Sequence, residues 1–168
     1  MADKISVSEF VKEYNACTNE TARKNYLKKL DITKYLSYEQ KIVIASRIVE
    51  ATSRDQDGTD RVVINSPMRY VLYVFSVLSS YTNLDMGTTM SLEHFNALNQ
   101  YGLIEKIFAL IPEKELAEFQ KIVEMTFDDF MTNYYEAHNY INSVLEKILH
   151  IVNSPQLAEL AQQLDGEK

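Results

Sequence analysis

The sequence predicts an all-α fold. Apolar residues recur at three- and four-residue spacing along most of the chain, as expected for helices with one buried side. Only 4 glycines and 3 prolines occur among 168 residues, too few for an all-β protein built on tight turns. We therefore expect one domain, residues 1–168, containing a bundle of about six to eight helices. Residues 5–152 would form its core, and residues 153–168 a terminal helix and a polar tail.

Composition narrows the function classes. The formal net charge of −7 and the pI of about 5.0 disfavour a protein that binds nucleic acid through its overall charge. The single cysteine, Cys17, excludes disulfide frameworks and thiolate zinc sites. The most apolar stretch, residues 70–81, is shorter than the roughly 20 residues that span a bilayer. We expect a cytoplasmic protein without membrane contact.

Side-chain caps place the first three helices. Ser6 with Glu9, and Ser37 with Gln40, have the spacing of capping boxes, and Asn19 can cap a helix between them. Apolar residues then follow at helical spacing. The predicted buried stripes are Val7, Phe10, Val11 and Tyr14; Ala22, Tyr26, Leu27 and Leu30; and Ile42, Ala45, Ile48, Val49 and Thr52.

A helix over residues 68–84 is predicted to be the centre of the bundle. Ser66 and Pro67 give it a start signal, and it is apolar almost all round, which is typical of a helix enclosed by its neighbours. Around it we expect eight buried residues: Val71, Leu72, Phe75, Leu78, Phe108, Phe127, Phe130 and Ile141.

The C-terminal part reads as one long helix or a broken pair over residues 112–152. Two short helices precede it, separated by Gly102 as a left-handed cap. A continuous helix would be about 60 Å long, so we favour a break near Thr132 and Asn133. Its apolar seam is Leu116, Val123, Phe127, Phe130, Tyr134, Ile141, Leu145, Ile148 and Val152, with Gln120 and His138 as polar members.

Charge is distributed unevenly. Residues 1–66 carry 11 basic and 10 acidic side chains, whereas residues 67–168 carry 6 and 14, a net charge of −8. If the seam points inward, four carboxylates point outward: Glu118, Asp128, Asp129 and Glu136. This acidic face either keeps the protein soluble or binds a protein partner with a basic surface.

One basic cluster stands against this trend. Arg23, Lys24, Lys28 and Lys29 lie on or near the second predicted helix, where they could form an exposed face or contact nucleic acid. Tyr26 could stack on a base, but it also fits the buried stripe. Direct binding of nucleic acid is the weaker interpretation.

No motif for nucleophilic catalysis, phosphate binding or metal binding is present, so we expect no catalytic residues, no cofactor and no metal. Residues 55–60 contain three aspartates and a glycine, as calcium-binding loops do, but these residues do not have the EF-hand spacing. An all-α, magnesium-dependent nucleotide pyrophosphohydrolase would need Glu-x-x-Glu followed by Glu-x-x-Asp. Glu115 and Glu118 fit the first half, but Glu124 and Asp128 are four residues apart.

Three segments carry a resemblance to known proteins: residues 64–70, 103–115 and 128–133. They are similar to segments of small all-helical proteins from bacteriophages and prophages of low-GC Gram-positive bacteria. The resemblance covers about residues 5–150 and implies a viral source and a helical fold. It carries no active-site residues. Small phage proteins without catalysis commonly bind a host protein or assist particle assembly.

Three functions are therefore predicted from the sequence. The first is a non-enzymatic protein-binding module, in its most concrete form a phage protein that inhibits a nucleic-acid-guided, CRISPR-type defence complex through the acidic face. The second is a phage structural or assembly protein of the head or tail that associates with itself along the 116–152 seam. The third is the magnesium-dependent pyrophosphohydrolase.

Overall fold

The structure, a computed structural model, describes residues 3–53, 62–87 and 91–152. Within these ranges the chain consists of helices, their connecting loops and one minimal sheet, so the predicted all-α class is confirmed. The helices are α1 Val7–Ala16, α2 Glu20–Leu27, α3 Tyr38–Ser53, α4 Ser66–Tyr81, α5 Leu92–Gln100, α6 Leu103–Phe108 and α7 Glu113–Val152. The strands are β1 Ile5–Ser6 and β2 Leu84–Asp85.

Two compact units divide the chain, Met1–Phe127 and Asp128–Lys168. Helix α7 contributes to both. We call its residues 113–127 the proximal segment and its residues 128–152 the distal segment. The expected break near Thr132 and Asn133 was wrong, because α7 is one helix of 40 residues. Neither glycine nor proline occurs within it, so no residue type there interrupts the backbone hydrogen bonds.

The predicted caps are present in the first unit. The Ser6 hydroxyl accepts a hydrogen bond from the Glu9 N–H at 3.2 Å. The Asn19 side chain accepts one from the Ala22 N–H at 2.7 Å. The two short strands were not predicted. They pair in parallel, with Ile5 opposite Leu84, and tie the start of the chain to the end of α4.

Helix α4 lies at the centre of the first unit. Its buried residues contribute to two apolar clusters, Val74, Phe75 and Leu78 to one and Val77 and Tyr81 to the other. The helix is shifted relative to the predicted 68–84. The Asn65 side chain, not that of Ser66, accepts the capping hydrogen bond, and the C-cap lies at Thr82, where the backbone becomes extended.

The predicted burial is only partly right. Phe75 and Leu78 are buried. Five further residues are half-buried: Val71, Leu72, Phe108, Phe127 and Phe130. The predicted burial of Ile141 was wrong, since 55% of its surface is exposed. It lies in the distal segment, where residues 128–149 include no buried side chain.

Two predictions lie outside the described residues. They are the loop of residues 55–60 with its calcium-like spacing, and the terminal helix and tail of residues 153–168.

Candidate functional site

A buried lysine joins the proximal segment to α3. Lys41 is completely buried, although lysine is among the residues least often enclosed. Its Nζ lies 2.8 Å from Oε2 of Glu115 and also forms an ion pair with Oε2 of Glu118. Two carboxylates thus face one ammonium group, and the cluster is strongly asymmetric in exposure: the Glu115 side chain is 10% exposed and that of Glu118 44%.

One oxygen of the Glu115 carboxylate has several partners. Its Oε2 also accepts hydrogen bonds from the Tyr81 hydroxyl at 3.1 Å and from the Leu36 N–H at 3.3 Å. Three chain segments therefore converge on one carboxylate. A buried charge is costly unless it is paired and hydrogen-bonded, and this one is both.

The partners determine which protonation states the cluster favours. Burial by itself would raise the pKa of Glu115, but Lys41 and the hydrogen bonds from Leu36 and Tyr81 outweigh it and lower that pKa. Burial would likewise lower the pKa of Lys41, but Glu115 and Glu118 outweigh it and raise that pKa. Burial, together with the neighbouring Glu115, raises the pKa of Tyr81. Glu115 and Lys41 are thus held charged and Tyr81 neutral.

This cluster corrects the expectation for Glu118. It does not point freely outward as part of an acidic face, because its carboxylate is paired with Lys41. The same contact bears on the pyrophosphohydrolase interpretation. Glu115 and Glu118 would have to bind magnesium there, but both face an ammonium group.

The error came from the orientation of the helix. The predicted seam placed Gln120 inward, but Gln120 is exposed and donates a hydrogen bond to Glu124 at 2.9 Å. The buried side of the proximal segment runs through Glu115, Phe119, Ile122 and Val123. Of the predicted seam, Val123 is therefore confirmed as buried and Leu116 is half-buried. Glu118 lies one turn from both Glu115 and Ile122, at the edge of that side.

The other three predicted acidic residues lie in the distal segment. Asp128, Asp129 and Glu136 are exposed. None of them forms an ion pair within residues 3–53, 62–87 and 91–152. Residues 128–152 carry one further carboxylate, Glu146, and a single basic side chain, Lys147, so their net charge is −3 with neutral histidines.

Large apolar side chains are exposed in the same segment. They are half or more exposed at six positions: Tyr135, Tyr140, Ile141, Leu145, Ile148 and Leu149. His138, predicted as part of the seam, is also exposed and stacks on Tyr134 with the ring centroids 6.0 Å apart. Exposed patches of this kind in soluble proteins commonly mark interaction surfaces.

The basic cluster on α2 is compensated locally. Lys24 lies 3.9 Å from Glu20, and Lys29 lies 4.0 Å from Glu13. Arg23 packs over the ring of Tyr14, 5.6 Å from its centroid. Tyr26 is only 7% exposed, so its ring is not available to stack on a base. These contacts favour an ordinary solvated helix face over a nucleic-acid site.

A second apolar surface, at the start of α3, was missed by the sequence analysis. A groove of about 390 Å³ is lined by Leu36, Glu39, Gln40, Val43, Ile44 and Ser80. Tyr35, Tyr38 and Ile42 are exposed in the same stretch of chain. Ile42 was placed in the buried stripe of this helix, and that prediction was wrong, because Ile42 is 39% exposed. The available signal was the adjacent apolar pair Ile42 and Val43, since two neighbouring residues cannot both belong to one buried stripe.

Searches for other kinds of site add no further candidate. In the described part of the chain, no three His, Cys, Asp or Glu residues are close enough together to hold a metal ion. No helix there has both the length and the apolar character needed to cross a membrane.

Comparison with known proteins gives no family. The chain matches no protein-family model, no curated protein and no solved structure. The resemblance to phage proteins therefore stays a prediction, and the functional argument depends on the chain's own residues.

Proposed function

We propose that the protein is a non-enzymatic protein-binding module that recognises a basic partner surface through the distal segment. One observation carries the proposal. Asp128, Asp129 and Glu136 are exposed without an ion pair among the described residues, on a segment that also exposes large apolar side chains. Carboxylates attract a cationic partner over a distance, and apolar side chains stabilise the complex once it forms.

The proposed recognition set is smaller than the sequence indicated. Glu118 is left out because its carboxylate is already engaged in the ion pair with Lys41. The basic cluster on and just after α2 is left out as well, because three of its four members, Arg23, Lys24 and Lys29, already contact Glu13, Glu20 or an aromatic ring. Asp128, Asp129 and Glu136 remain.

In its most concrete form, the module comes from a phage and inhibits a nucleic-acid-guided, CRISPR-type defence complex of the host. Such complexes hold nucleic acid in positively charged channels. A helix carrying carboxylates could occupy positions meant for phosphates. The resemblance to phage proteins and the net charge of −3 on the distal segment support this form.

The test is charge reversal of the full chain, Asp128→Lys with Asp129→Lys. Cells carrying a CRISPR-type complex and a targeted plasmid would express either the wild type or the variant. We expect wild type to preserve the plasmid and the variant to lose that protection, with at least about a tenfold loss of affinity for the isolated complex.

The matched control is Glu50→Lys with Glu93→Lys, two exposed residues outside the distal segment. It changes the net charge equally and should keep the protection. Circular dichroism must show unchanged helicity for each variant. If the distal variant protects as well as the wild type does, the acidic residues serve only solvation and the proposal fails.

A phage assembly protein is the second candidate. The exposed apolar side chains of the distal segment favour it, because assembly proteins bury such surfaces between copies. Light scattering separates the two functions. Particles that grow with concentration would support assembly, whereas a species of fixed small size would contradict it.

A further inference from the structure

The distal segment has the residue pattern of a coiled coil. In a heptad labelled a to g, positions a and d lie on one side of the helix and form the seam with a partner helix. From residue 130 to residue 148 these positions are occupied without exception by apolar or aromatic residues. The d and a residues, in chain order, are Phe130, Tyr134, Ala137, Ile141, Val144 and Ile148. We call this set the distal seam.

Charged side chains avoid the distal seam. Asp128, Asp129, Glu136 and Glu146 occupy positions b, c and f, which face away from a partner helix. Lys147, at position g, borders the seam. The proposed recognition carboxylates and the distal seam therefore lie on different sides of one helix. When the seam is occupied, Tyr135, at position b and 56% exposed, remains beside those carboxylates as an apolar contact for the partner.

Among the described residues of its own unit, 128–152, the distal seam has no second helix to pack against. In that unit the structure describes a single helix, and Ile141 and Ile148 are 55% and 50% exposed. Leu145, at the flanking position e and 51% exposed, widens the exposed apolar strip. Helices in proteins owe most of their stability to packing of the apolar side, so an apolar side left in water favours association.

We propose that the distal seam pairs with the same seam of a second copy of this chain, as an antiparallel two-helix coiled coil. This goes beyond the proposed function and does not depend on it. The dimer would present two copies of the acidic residues on its outer sides.

The size of the surface fits a second copy. Each exposed apolar side chain along the strip offers on the order of 100 Å², and half-buried aromatic rings at Phe130 and Tyr134 add to it. The strip of one copy then reaches roughly 500 Å², so a symmetric pair buries about 1,000 Å². This only just reaches the area expected of a biological interface and suits a weak, reversible dimer.

Charge determines the orientation. Residues 128–140 contain three carboxylates and no basic side chain, whereas residues 141–152 contain Glu146 and Lys147 and are neutral overall. A parallel pair would place the two acidic halves side by side. An antiparallel pair places each acidic half beside a neutral half that contains a lysine, and it also opposes the two helix dipoles favourably.

The first experiment measures the mass of the full chain by sedimentation equilibrium over a range of concentrations. We expect a monomer–dimer equilibrium for wild type. Ile141→Glu with Ile148→Glu should raise the dissociation constant at least about 100-fold, because it buries two carboxylates per copy in an apolar seam. Thr132→Glu with Asn139→Glu adds the same charge at outer f positions and should leave the dimer intact.

The second experiment tests the orientation. Nitroxide labels are attached to Thr132→Cys or to Asn139→Cys in a Cys17→Ser background, and label distances within the dimer are measured by pulsed electron resonance. With Ile141 near the twofold axis, antiparallel pairing separates the two copies of residue 132 by about 27 Å along the axis and those of residue 139 by about 6 Å. Parallel pairing gives both positions the same short distance.

Each outcome decides a defined part of the proposal. A wild-type monomer at every concentration overturns it and shows that the distal seam is covered within the chain or remains open. A dimer that survives Ile141→Glu with Ile148→Glu also overturns it, because the contact then lies elsewhere. Equal label distances overturn the antiparallel arrangement. Asp128→Lys with Asp129→Lys should keep the dimer, so failure of the proposed function stays distinguishable.

Discussion

The two segments of α7 differ in burial although they share one helix and one apolar spacing. In the proximal segment, Phe119 is completely buried and Ile122 and Val123 are 6% exposed. In the distal segment, Ile141 and Ile148 are at least half exposed. Apolar periodicity alone therefore does not show whether one side of a helix is buried within the protomer. The apolar side of the proximal segment packs against residues of α3 and α4, whereas that of the distal segment is exposed and can pack against a partner.

The two segments also differ in whether their carboxylates form ion pairs. The proximal carboxylates Glu115 and Glu118 are paired with Lys41, whereas Asp128 and Asp129 have no ion pair among the described residues. A carboxylate that holds a buried ammonium contributes to the fold, and an exposed, unpaired one can contribute to recognition. The comparison thus separates residues expected to affect stability from residues expected to affect binding.

Of the substitutions considered, Lys41→Met should have the largest effect on the stability of the proximal segment. It leaves Glu115 buried beside Glu118 without a counter-ion, and we expect a loss of about 4 kcal/mol in the free energy of unfolding at neutral pH. Urea denaturation followed by tyrosine fluorescence measures it. Lys41→Met combined with Glu115→Gln should recover at least half, because no enclosed carboxylate is then left unpaired. A loss under about 1 kcal/mol for the single variant would show that the cluster is solvated.

Much of the fold follows from local sequence signals. The caps at Ser6 and Asn19 lie within three residues of the N–H groups they accept from, so the sequence alone identifies them. The Lys41 cluster could not be found in this way, because its carboxylates lie more than 70 residues away along the chain. The buried side of the proximal segment was misjudged for the same reason. Its orientation is determined by Lys41 and Tyr81, and not by its own apolar count.

A matched pair of isoleucines tests the difference in burial directly. Ile122→Ala should lower the free energy of unfolding by about 3 kcal/mol, because it removes enclosed methyl groups and leaves a cavity. Ile148→Ala should change it by less than about 0.5 kcal/mol in dilute protein, because half of that side chain is already in water. Equal losses measured by urea denaturation would mean that the distal segment is enclosed in the protomer.

The smallest expected effect is the pH dependence of the free energy of unfolding, which can be assigned to Glu115 and Lys41 individually. The pKa of Glu115 is lowered on folding, so its contribution is present above its ordinary pKa of 4.5 and is lost as the pH falls through the lower, folded pKa. The pKa of Lys41 is raised, so its contribution is present below its ordinary pKa of 10.5 and is lost as the pH rises through the higher, folded pKa. Between these limits the cluster should contribute constantly to the free energy of unfolding.

Glu115→Gln tests the contribution of this carboxylate to the loss of stability at acidic pH. Wild type should lose stability between neutral pH and about pH 3, and the variant should lose less over the same interval, because it has one carboxylate fewer to protonate. Glu39, whose pKa is lowered by a hydrogen bond from its own N–H and by Ser37, contributes in the same direction. Glu39→Gln is therefore the control, because it removes a carboxylate whose pKa is also lowered but which lies outside the Lys41 cluster. If Glu115→Gln loses as much stability as the wild type over this interval, the Glu115 carboxylate is not held charged by Lys41 in the folded protein, and the paired and unpaired carboxylates of the two segments are no longer distinguished.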